Sequence, residues 1–276
     1  MAGGADKTIV KRARLAARAV RLRLADIAHA LRGRSAELLP PPTAVDEIGG
    51  HDFAAIGRHL ADIAIDLGAL APDGTIVDIG CGYGRLAVPL AKHLQRGRYR
   101  GFDVSRGAIA WCNRWIVPRH PHCEFVRVDV RNGHYNSRGA IAAEEFVFPY
   151  EARSADVVFA SSLFTHVQEG ALRQYITEAA RILRPGGRLV ASFFLLDDVS
   201  RKAVAERRGE PKFVVLDENV AVQDPSDPEA AIAYSETLVR AVLHEAGLPV
   251  ASIHHGSWSE RAATLSYQDF VVAVRE

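Results

Sequence analysis

A glycine-rich turn is the first part of the sequence that could do chemistry. It has glycine at three alternate positions, Gly80, Gly82 and Gly84, after a short β-branched run that contains Asp78. A helical apolar pattern follows at once, so the stretch predicts a strand, a tight turn and a helix of a parallel α/β sheet. Glycine lets the backbone turn without a Cβ and lets a ligand lie against it, near the positive end of the helix. The spacing differs from the Gly-x-Gly-x-x-Gly pattern of dinucleotide-binding folds, because position 85 is an arginine.

Polar residues end the three strands that are predicted next along the chain. Asp103 ends the second strand, 19 residues after Gly84. A carboxylate at that place can accept hydrogen bonds from both hydroxyls of a ribose, and the alternative is a helix cap shared with Ser105. Asp129 ends the third strand, and Ser161 ends the fourth at the carboxyl edge of the sheet. These side chains are therefore predicted to surround one ligand.

Together these features resemble the class I S-adenosylmethionine-dependent methyltransferases. The glycine spacing after Asp78 matches motif I of that family, and the run from Leu183 to Gly187, with Pro185 and Gly186, matches the turn before its fifth strand. The resemblance covers about residues 46–276. It implies a Rossmann-like α/β fold, with a seven-stranded and mostly parallel sheet that has helices on both faces.

The resemblance also implies S-adenosylmethionine as the cofactor. In the family, Asp103 would hold the ribose, Asp129 would face the adenine amino group unless it is a simple turn aspartate, and Ser161 would lie beside the sulfonium. Cys81 is interpreted as a small residue in a crowded turn, in preference to a nucleophile. No metal site is predicted, because the three cysteines of the chain stand in no metal-ligand spacing. The predicted cofactor site comprises Asp78, Gly80, Cys81, Gly82, Gly84, Asp103, Val104, Asp129, Val130 and Ser161.

His166 is the candidate catalytic residue. Methyl transfer from a sulfonium is an in-line displacement, so the protein mainly positions the acceptor and excludes water. A hydroxyl acceptor must also lose a proton, and histidine is the usual base near neutral pH. Among eleven histidines, His166 follows the fourth predicted strand and so lies nearest to the transferred methyl group. A surface helix cap is the alternative role, and His134, His254 and His255 are weaker candidates for the base.

The acceptor is predicted to be a small molecule and not a nucleic acid. Lys and Arg total 34 against 33 Asp and Glu, which leaves no overall basic surface. The segment after the fourth strand also lacks the Asp/Asn-Pro-Pro-aromatic run of nucleic-acid amine methyltransferases, and no cysteine follows a proline.

A sugar hydroxyl is the preferred acceptor. The C-terminal segment around Trp258 and Arg261 more loosely resembles bacterial methyltransferases of glycan and surface-polysaccharide clusters, and Trp258 offers either a sugar-stacking face or a core side chain. An amine or lipid acceptor is the alternative within the enzyme class. A catalytically inactive S-adenosylmethionine-binding adaptor at a membrane is the alternative outside it. The oligomeric state stays open.

The N-terminus is unusually basic. From Lys7 to Arg34 there are nine Lys or Arg residues and a single acid, Asp26. At 100° per residue the segment is an amphipathic helix with segregated charge, whose apolar face contains Val20 and Leu24. It could dock on the domain as a lid, lie on an anionic membrane through residues 7–31, or be a targeting peptide. The predicted location is cytoplasmic, with peripheral contact at the inner face of the membrane left open.

The predicted organisation is a basic helix with a Pro-rich linker at residues 1–45, followed by a methyltransferase domain at 46–276. Residues 197–231 are charged and dotted with proline, so they are predicted to be an insertion that covers the substrate. Helices are predicted over about 84–95, 106–117, 168–183 and 232–246. Strands are predicted over 75–79, 99–103, 124–128, 156–160 and 189–196, with two more near 250–255 and 268–274.

Overall fold

The computed structural model describes residues 20–26, 38–47 and 52–276. Helix α1 is seen over residues 20–26. The other helices are α2 (Pro42–Glu47), α3 (Phe53–Asp66), α4 (Ala87–His93), α5 (Arg106–Trp115), α6 (Glu169–Ile182), α7 (Asp198–Ala205) and α8 (Glu236–Glu245). The first strands are β1 (Thr75–Ile79), β2 (Arg98–Asp103), β3 (Cys123–Arg127), β4 (Ala155–Ala160), β5 (Leu183–Phe193) and β6 (Leu195–Leu196). They are followed by β7 (Val214–Val215), β8 (Val220–Val222), β9 (Ile232–Ser235), β10 (Val250–His254) and β11 (Asp269–Val274).

The main sheet has seven strands in the order β10-β11-β5-β4-β1-β2-β3. The pairs from β5 through β4, β1 and β2 to β3 are parallel, and β11 is antiparallel to both β5 and β10. One strand of the seven therefore runs against the others. The predicted fold class, a mostly parallel α/β sheet with helices, is confirmed.

Both faces of this sheet are buried, which is why its central strands read as nearly continuous apolar runs. In β1, Ile76, Val77 and Ile79 are each 0% exposed. Val77 and Ile79 belong to the core under α6 and α8, whereas Ile76 belongs to the core under α3, α4 and α5. Successive side chains of a strand point to opposite faces, so β1 ties the two apolar layers together.

The fifth strand differs from its predicted limits. It begins at Leu183 and not at Leu189, because the predicted Pro-Gly-Gly turn is a bulge between two pairs of the β4–β5 ladder, Ala155–Leu183 and Val157–Arg188. Gly186 has a φ of 76° inside this bulge, a backbone conformation that glycine adopts without steric cost. The strand also stops at Phe193, and β6 leaves the main sheet for a second one.

The predicted helix over residues 232–246 is wrong in its first four residues. Residues 232–235 are strand β9, and α8 begins only at Glu236, where the Ser235 side chain accepts a hydrogen bond from the Leu238 N–H. β9 pairs with β6 and β8 in a four-stranded sheet of order β6-β9-β8-β7. The predicted insertion therefore contributes strands to a second, small sheet.

Trp258 closes the core beneath this second sheet. Its side chain is 2% exposed and packs on Phe194 and Phe213. Its Nε1–H donates to the Asp269 carboxylate at 2.7 Å, and the same buried carboxylate accepts the backbone N–H groups of Leu195 and Gly256, each at 2.7 Å. Of the two roles predicted for Trp258, the core side chain is the observed one, and the sugar-stacking role is wrong.

Helix α1 contacts the rest of the chain through its single acid. The Asp26 carboxylate accepts the backbone N–H of Thr43 at 3.0 Å and its hydroxyl at 2.7 Å. Val20 and Leu24 of the predicted apolar face are 59% and 61% exposed. Most of the predicted amphipathic segment, including Lys7 and Arg34, lies outside the described residues.

Within the described parts of the chain, no helix combines the length and the apolar content that crossing a bilayer needs.

Candidate functional site

A cavity of about 1050 Å³ lies at the carboxyl ends of β1, β2 and β4. Its lining at this edge includes Asp103, the last residue of β2, and residues of the turns after those strands, among them Gly80, Gly82, Val104, Ser161 and Ser162. The loop after β3 adds residues 130–135, and α6 with the turn before it adds His166, Gln168, Ala171 and Tyr175. In a doubly wound sheet this edge is where ligands bind.

The structure brings seven of the predicted site residues to this cavity and leaves four outside it. Those that line it are Gly80, Gly82, Asp103, Val104, Val130, Ser161 and His166. Asp78, Cys81, Gly84 and Asp129 are not among its lining residues. Each of the four lies outside the cavity for a different physical reason.

The three motif glycines do different things. All three have positive φ, at 74° for Gly80, 50° for Gly82 and 70° for Gly84. A Cβ built on Gly82 meets no atom within 4 Å, so the cavity reaches the bare backbone there. A Cβ on Gly84 would lie 2.5 Å from the Ile116 Cδ1 atom, so this glycine faces the core and allows close packing on α5. The open backbone at Gly82 fits a ligand that lies directly against the turn, as the adenosyl cofactor implied by motif I would.

Asp103 links the glycine turn to the end of β2. Its carboxylate accepts the Gly82 N–H at 2.8 Å and the Ser105 N–H at 2.7 Å. Burial raises the pKa of this carboxyl, and the backbone hydrogen bonds act in the opposite direction. The Ser105 side chain itself caps α5 by accepting the Ala108 N–H. Asp103 therefore fixes the turn and still presents a carboxylate to the cavity.

Asp78 lies behind the turn and not in the cavity. It is 5% exposed and accepts the Tyr99 hydroxyl at 2.5 Å. Burial raises its pKa to about 7, although the Tyr99 hydrogen bond and the nearby Arg85 guanidinium favour the charged form. Arg85 does line the cavity, at the end where Gly80 and Gly82 also lie.

Cys81 is a packed side chain. It is 5% exposed, and a Cβ on Gly101 would lie 2.9 Å from its Sγ, so Gly101 leaves room for it. Burial raises the pKa of its thiol well above the usual value, with the Asp103 and Asp78 carboxylates acting in the same direction. A thiol held neutral is a poor nucleophile. The geometry thus agrees with the interpretation of Cys81 as a small residue in a crowded turn.

Asp129 points away from the cavity. Its carboxylate accepts Arg127 Nη2 at 2.7 Å and Asn136 Nδ2 at 3.1 Å. The Asn136 hydrogen bond and the Arg127 charge lower its pKa. The neighbouring Val128 and Val130 line the cavity instead, because side chains alternate along an extended chain. The contact of Asp129 with an adenine amino group stays a prediction.

His166 lies in the turn that follows β4. Its backbone N–H donates to the Leu163 carbonyl at 2.9 Å, and its ring Nδ1 lies 3.0 Å from the Glu229 carbonyl oxygen. A carbonyl oxygen can only accept, so Nδ1 carries the proton and Nε2 carries the lone pair. Burial lowers the pKa of the ring, against the smaller effect of the Glu229 hydrogen bond. His166 is therefore a neutral histidine at neutral pH, with a basic nitrogen.

Glu229 is the main cavity residue that the sequence motifs did not indicate. Its carboxylate accepts Asn132 Nδ2 at 3.2 Å and the Gly133 N–H at 2.9 Å, while its carbonyl holds His166. It joins the predicted insertion to the loop after β3 across 96 residues of sequence. Short-range patterns carry no signal for such a contact. Tyr175 was also missed. It is 5% exposed on α6, where its sequence position fits the apolar face of the helix.

The weaker histidine candidates lie elsewhere or have other partners. His134 lines the cavity and contacts the Asp227 carboxylate at 3.0 Å. His255 lies outside it, 3.5 Å from the Asp269 carboxylate, whose hydrogen bond raises its pKa. One nitrogen or oxygen atom each of Asp197, Glu236 and His255 come within 4.8 Å of one another, and Arg261 pairs with Asp197 there. The Arg261 guanidinium thus already balances the negative charge of Asp197 in that cluster.

Comparison with known proteins agrees with this geometry. A family model described as a methyltransferase domain matches residues 76–187, which run from β1 into β5. A phthiotriol/phenolphthiotriol dimycocerosates methyltransferase of Mycobacterium ulcerans is 32% identical over 120 residues, which cover 42% of this chain and 35% of that relative. A malonyl-[acyl-carrier protein] O-methyltransferase of Brevibacillus brevis is 24% identical over 49% of this chain and 44% of its own length. The matched stretch is thus less than half of either relative.

A solved structure has the same fold. The 1,6-didemethyltoxoflavin-N1-methyltransferase of Burkholderia thailandensis, solved with S-adenosylhomocysteine bound, superposes with a TM-score of 0.51 and 16% identity over 80% of this chain and 79% of that one. The matched domain, the strand order and the open glycine turn lead to one assignment. Residues 76–187 match a methyltransferase domain, and the chain has the fold of an S-adenosylmethionine-dependent methyltransferase.

Proposed function

We propose that this protein transfers the methyl group of S-adenosylmethionine to a hydroxyl group of a small molecule, with His166 as the general base. The observation that carries the proposal is the 3.0 Å contact between His166 Nδ1 and the Glu229 carbonyl. It fixes the tautomer that leaves Nε2 free to accept a proton. A buried base that stays neutral at neutral pH suits a hydroxyl acceptor, which must lose its proton as it reacts.

The other cavity residues take roles that follow from their chemistry. Gly80 and Gly82 present bare backbone to the cofactor, and Asp103 offers its carboxylate to the ribose hydroxyls. Arg85, a cation at the same end, suits the carboxylate of the methionine half. When bound, S-adenosylmethionine supplies a methyl group activated by a sulfonium. The acceptor oxygen forms the new bond to that carbon, the carbon–sulfur electron pair goes to sulfur, and His166 Nε2 takes the hydroxyl proton.

A saccharide remains the preferred acceptor, on different grounds from those the sequence offered. Trp258 is buried, so it offers no stacking face. Tyr135 is 56% exposed and lines the cavity, beside the polar side chains of Ser137 and Glu144. An exposed aromatic ring with polar neighbours suits a polyhydroxylated ligand. The Brevibacillus brevis relative is an O-methyltransferase, which also supports oxygen as the acceptor atom.

A lipid alcohol is the second candidate acceptor. The Mycobacterium ulcerans relative is named for phthiotriol and phenolphthiotriol dimycocerosates. Val20 and Leu24 of α1 are exposed apolar side chains, which a lipid surface could cover. An amine is the third candidate acceptor, because the Burkholderia thailandensis protein is an N1-methyltransferase, which methylates nitrogen. A tautomer-fixed base is not needed for an amine, since that proton can leave after transfer, so the amine ranks below both alcohols.

We further propose that α1 places the protein at the cytoplasmic face of an anionic membrane. The single acid of the basic segment, Asp26, is bound by Thr43, which leaves Arg21 and Arg23 without a carboxylate beside them in the sequence of α1. Val20 and Leu24 provide the apolar side of the same helix. A basic amphipathic helix of this kind suits the interface of an anionic bilayer.

Replacing Asp103 should weaken cofactor binding. We expect Asp103→Ala to lose about 2 kcal/mol of binding free energy for S-adenosylhomocysteine, because charge-assisted hydrogen bonds to the ribose are lost. Titration calorimetry measures this directly. Asp73→Ala is the matched control, since its exposed carboxylate lies outside the cavity, and it should bind within about twofold of the wild type. Equal affinities for wild type and Asp103→Ala would remove Asp103 from the site.

Replacing His166 should abolish turnover and spare cofactor binding. We expect His166→Ala and His166→Asn each to lower the rate of S-adenosylhomocysteine formation by about 10²–10⁴-fold, because the general base is removed. Asn keeps an N–H that can reach the Glu229 carbonyl, so it separates loss of the base from loss of that contact. Saccharides, long-chain alcohols, malonyl thioesters and amines are each assayed as the methyl acceptor. Turnover confined to amines would contradict the hydroxyl proposal.

The wild-type rate should also depend on pH in one direction. His166 acts only when neutral, and burial lowers its pKa. The rate should therefore rise with pH through one ionisation whose midpoint lies below about 6.5, and it should be flat near neutrality. A midpoint above that value, or a rate that falls as pH rises through it, would exclude His166 as the base.

Removing the charge of α1 should release the protein from anionic vesicles. We expect Arg21→Gln/Arg23→Gln to sediment on the order of tenfold less with phosphatidylglycerol vesicles at low salt, since each basic residue contributes about 1 kcal/mol near the surface. Arg96→Gln/Arg240→Gln removes the same charge from exposed sites outside α1 and should sediment like the wild type. Equal sedimentation of both double variants would refute membrane contact through α1.

A further inference from the structure

We propose that Gln268 is a positioning residue, which holds the turn after β4 in the conformation that the methyl-transfer site uses. Gln268 does not line the cavity, so it acts through another residue. That residue is Ser162, which does line it and which lies in the turn directly after β4. The inference rests on the proposed function, because it concerns the same site.

Ser162 has an unusual backbone conformation. Its φ is 56°, in the left-handed region that residues with a Cβ rarely adopt. Such conformations persist only where the surrounding structure holds them in place, and they collect at functional sites. The question is therefore which groups hold Ser162.

Two side chains hold it, Ser192 of β5 and Gln268, which directly precedes β11. The Ser162 backbone N–H donates to Ser192 Oγ at 2.7 Å, and Ser192 Oγ–H in turn donates to Gln268 Oε1 at 2.7 Å. The Ser162 hydroxyl donates to the same Gln268 oxygen at 3.0 Å. Gln268 thus accepts both hydroxyl protons and orients Ser192 to accept the strained N–H. One amide oxygen completes the whole network.

Gln268 is well placed for this because its neighbour is fixed. Asp269, 1% exposed, is the buried carboxylate that binds the N–H groups of Leu195, Gly256 and Trp258. It also pairs with Phe193 in the β5–β11 ladder, one residue beyond Ser192. The strand order β11-β5-β4 then brings together Gln268 just before β11, Ser192 near the end of β5 and Ser162 just after β4.

The conformation of Ser162 positions residues on both the cofactor side and the acceptor side of the cavity. Leu163 follows it and covers the glycine turn, since a Cβ on Gly80 would lie 3.3 Å from Leu163 Cδ1. The Leu163 carbonyl accepts the His166 N–H at 2.9 Å, which sets the start of the catalytic histidine's turn. A relaxed Ser162 would therefore move Leu163 off the glycine turn and shift His166 with it.

The test is a set of variants titrated with S-adenosylhomocysteine in a calorimeter. Gln268→Met keeps the length of the side chain and removes the acceptor, and Gln268→Glu keeps an acceptor. Ser162→Gly adopts a positive φ without steric cost. We expect Gln268→Met to bind about tenfold more weakly, because fewer molecules have the competent turn. Gln268→Glu should bind within about threefold of wild type, and Ser162→Gly/Gln268→Met should bind within about threefold of Ser162→Gly alone.

Recovery in the double variant is the outcome that a merely structural role would not give. Wild-type affinity in Gln268→Met, or a double variant about tenfold weaker than Ser162→Gly alone, would overturn the inference and leave the proposed function standing. Wild-type protein that binds no S-adenosylhomocysteine would overturn both. Thermal melting reports whether each variant folds. Should Gln268→Met not fold, Ser192→Ala removes the same acceptor of the Ser162 N–H, and the same recovery by Ser162→Gly is required.

Discussion

The hydrogen bond from the Gly82 N–H to the Asp103 carboxylate is the contact on which the site depends. At 2.8 Å it joins the turn after β1 to the end of the neighbouring strand β2. It keeps the positive-φ turn open, so that bare backbone faces the cavity at Gly82, while Gly84 packs on α5. A half-buried carboxylate loses part of its hydration, and the backbone N–H groups of Gly82 and Ser105 replace that hydration with hydrogen bonds. The cofactor half of the cavity is thereby formed before any ligand arrives.

The acceptor half depends on contacts that are far apart in sequence. The turn after β4 is held at one end by Ser192 and Gln268, and at the other by the Glu229 carbonyl on His166. Glu229 belongs to the segment after β5, whose strands form the second sheet. A change in that segment can therefore alter the base and its surroundings without touching motif I. Proteins with one cofactor fold can in this way differ in their acceptors.

The sequence was sufficient for the main sheet and for the glycine turn. β-Branched runs buried on both faces, such as Ile76 and Val77, have no other stable place in a soluble α/β domain. Residues 232–235 were mistaken for helix because a four-residue apolar run does not distinguish a strand from the first turn of a helix. Glu229 could not be found from patterns, since its contacts span long sequence separations. Asp103 and Asp129 look alike as strand-ending acids, yet only the first faces the cavity, which depends on the direction of one side chain.

The protonation state of His166 is the most direct test of the proposed chemistry. Nitrogen-15 NMR of histidine-labelled protein, saturated with S-adenosylhomocysteine and titrated in pH, reports the tautomer and the pKa of that ring, with His166→Asn to assign the signal. We predict a neutral ring at pH 7, with the proton on Nδ1 and a pKa below about 6.5. A ring that carries its proton on Nε2, or that is doubly protonated at pH 7, would contradict the assignment of His166 as the general base.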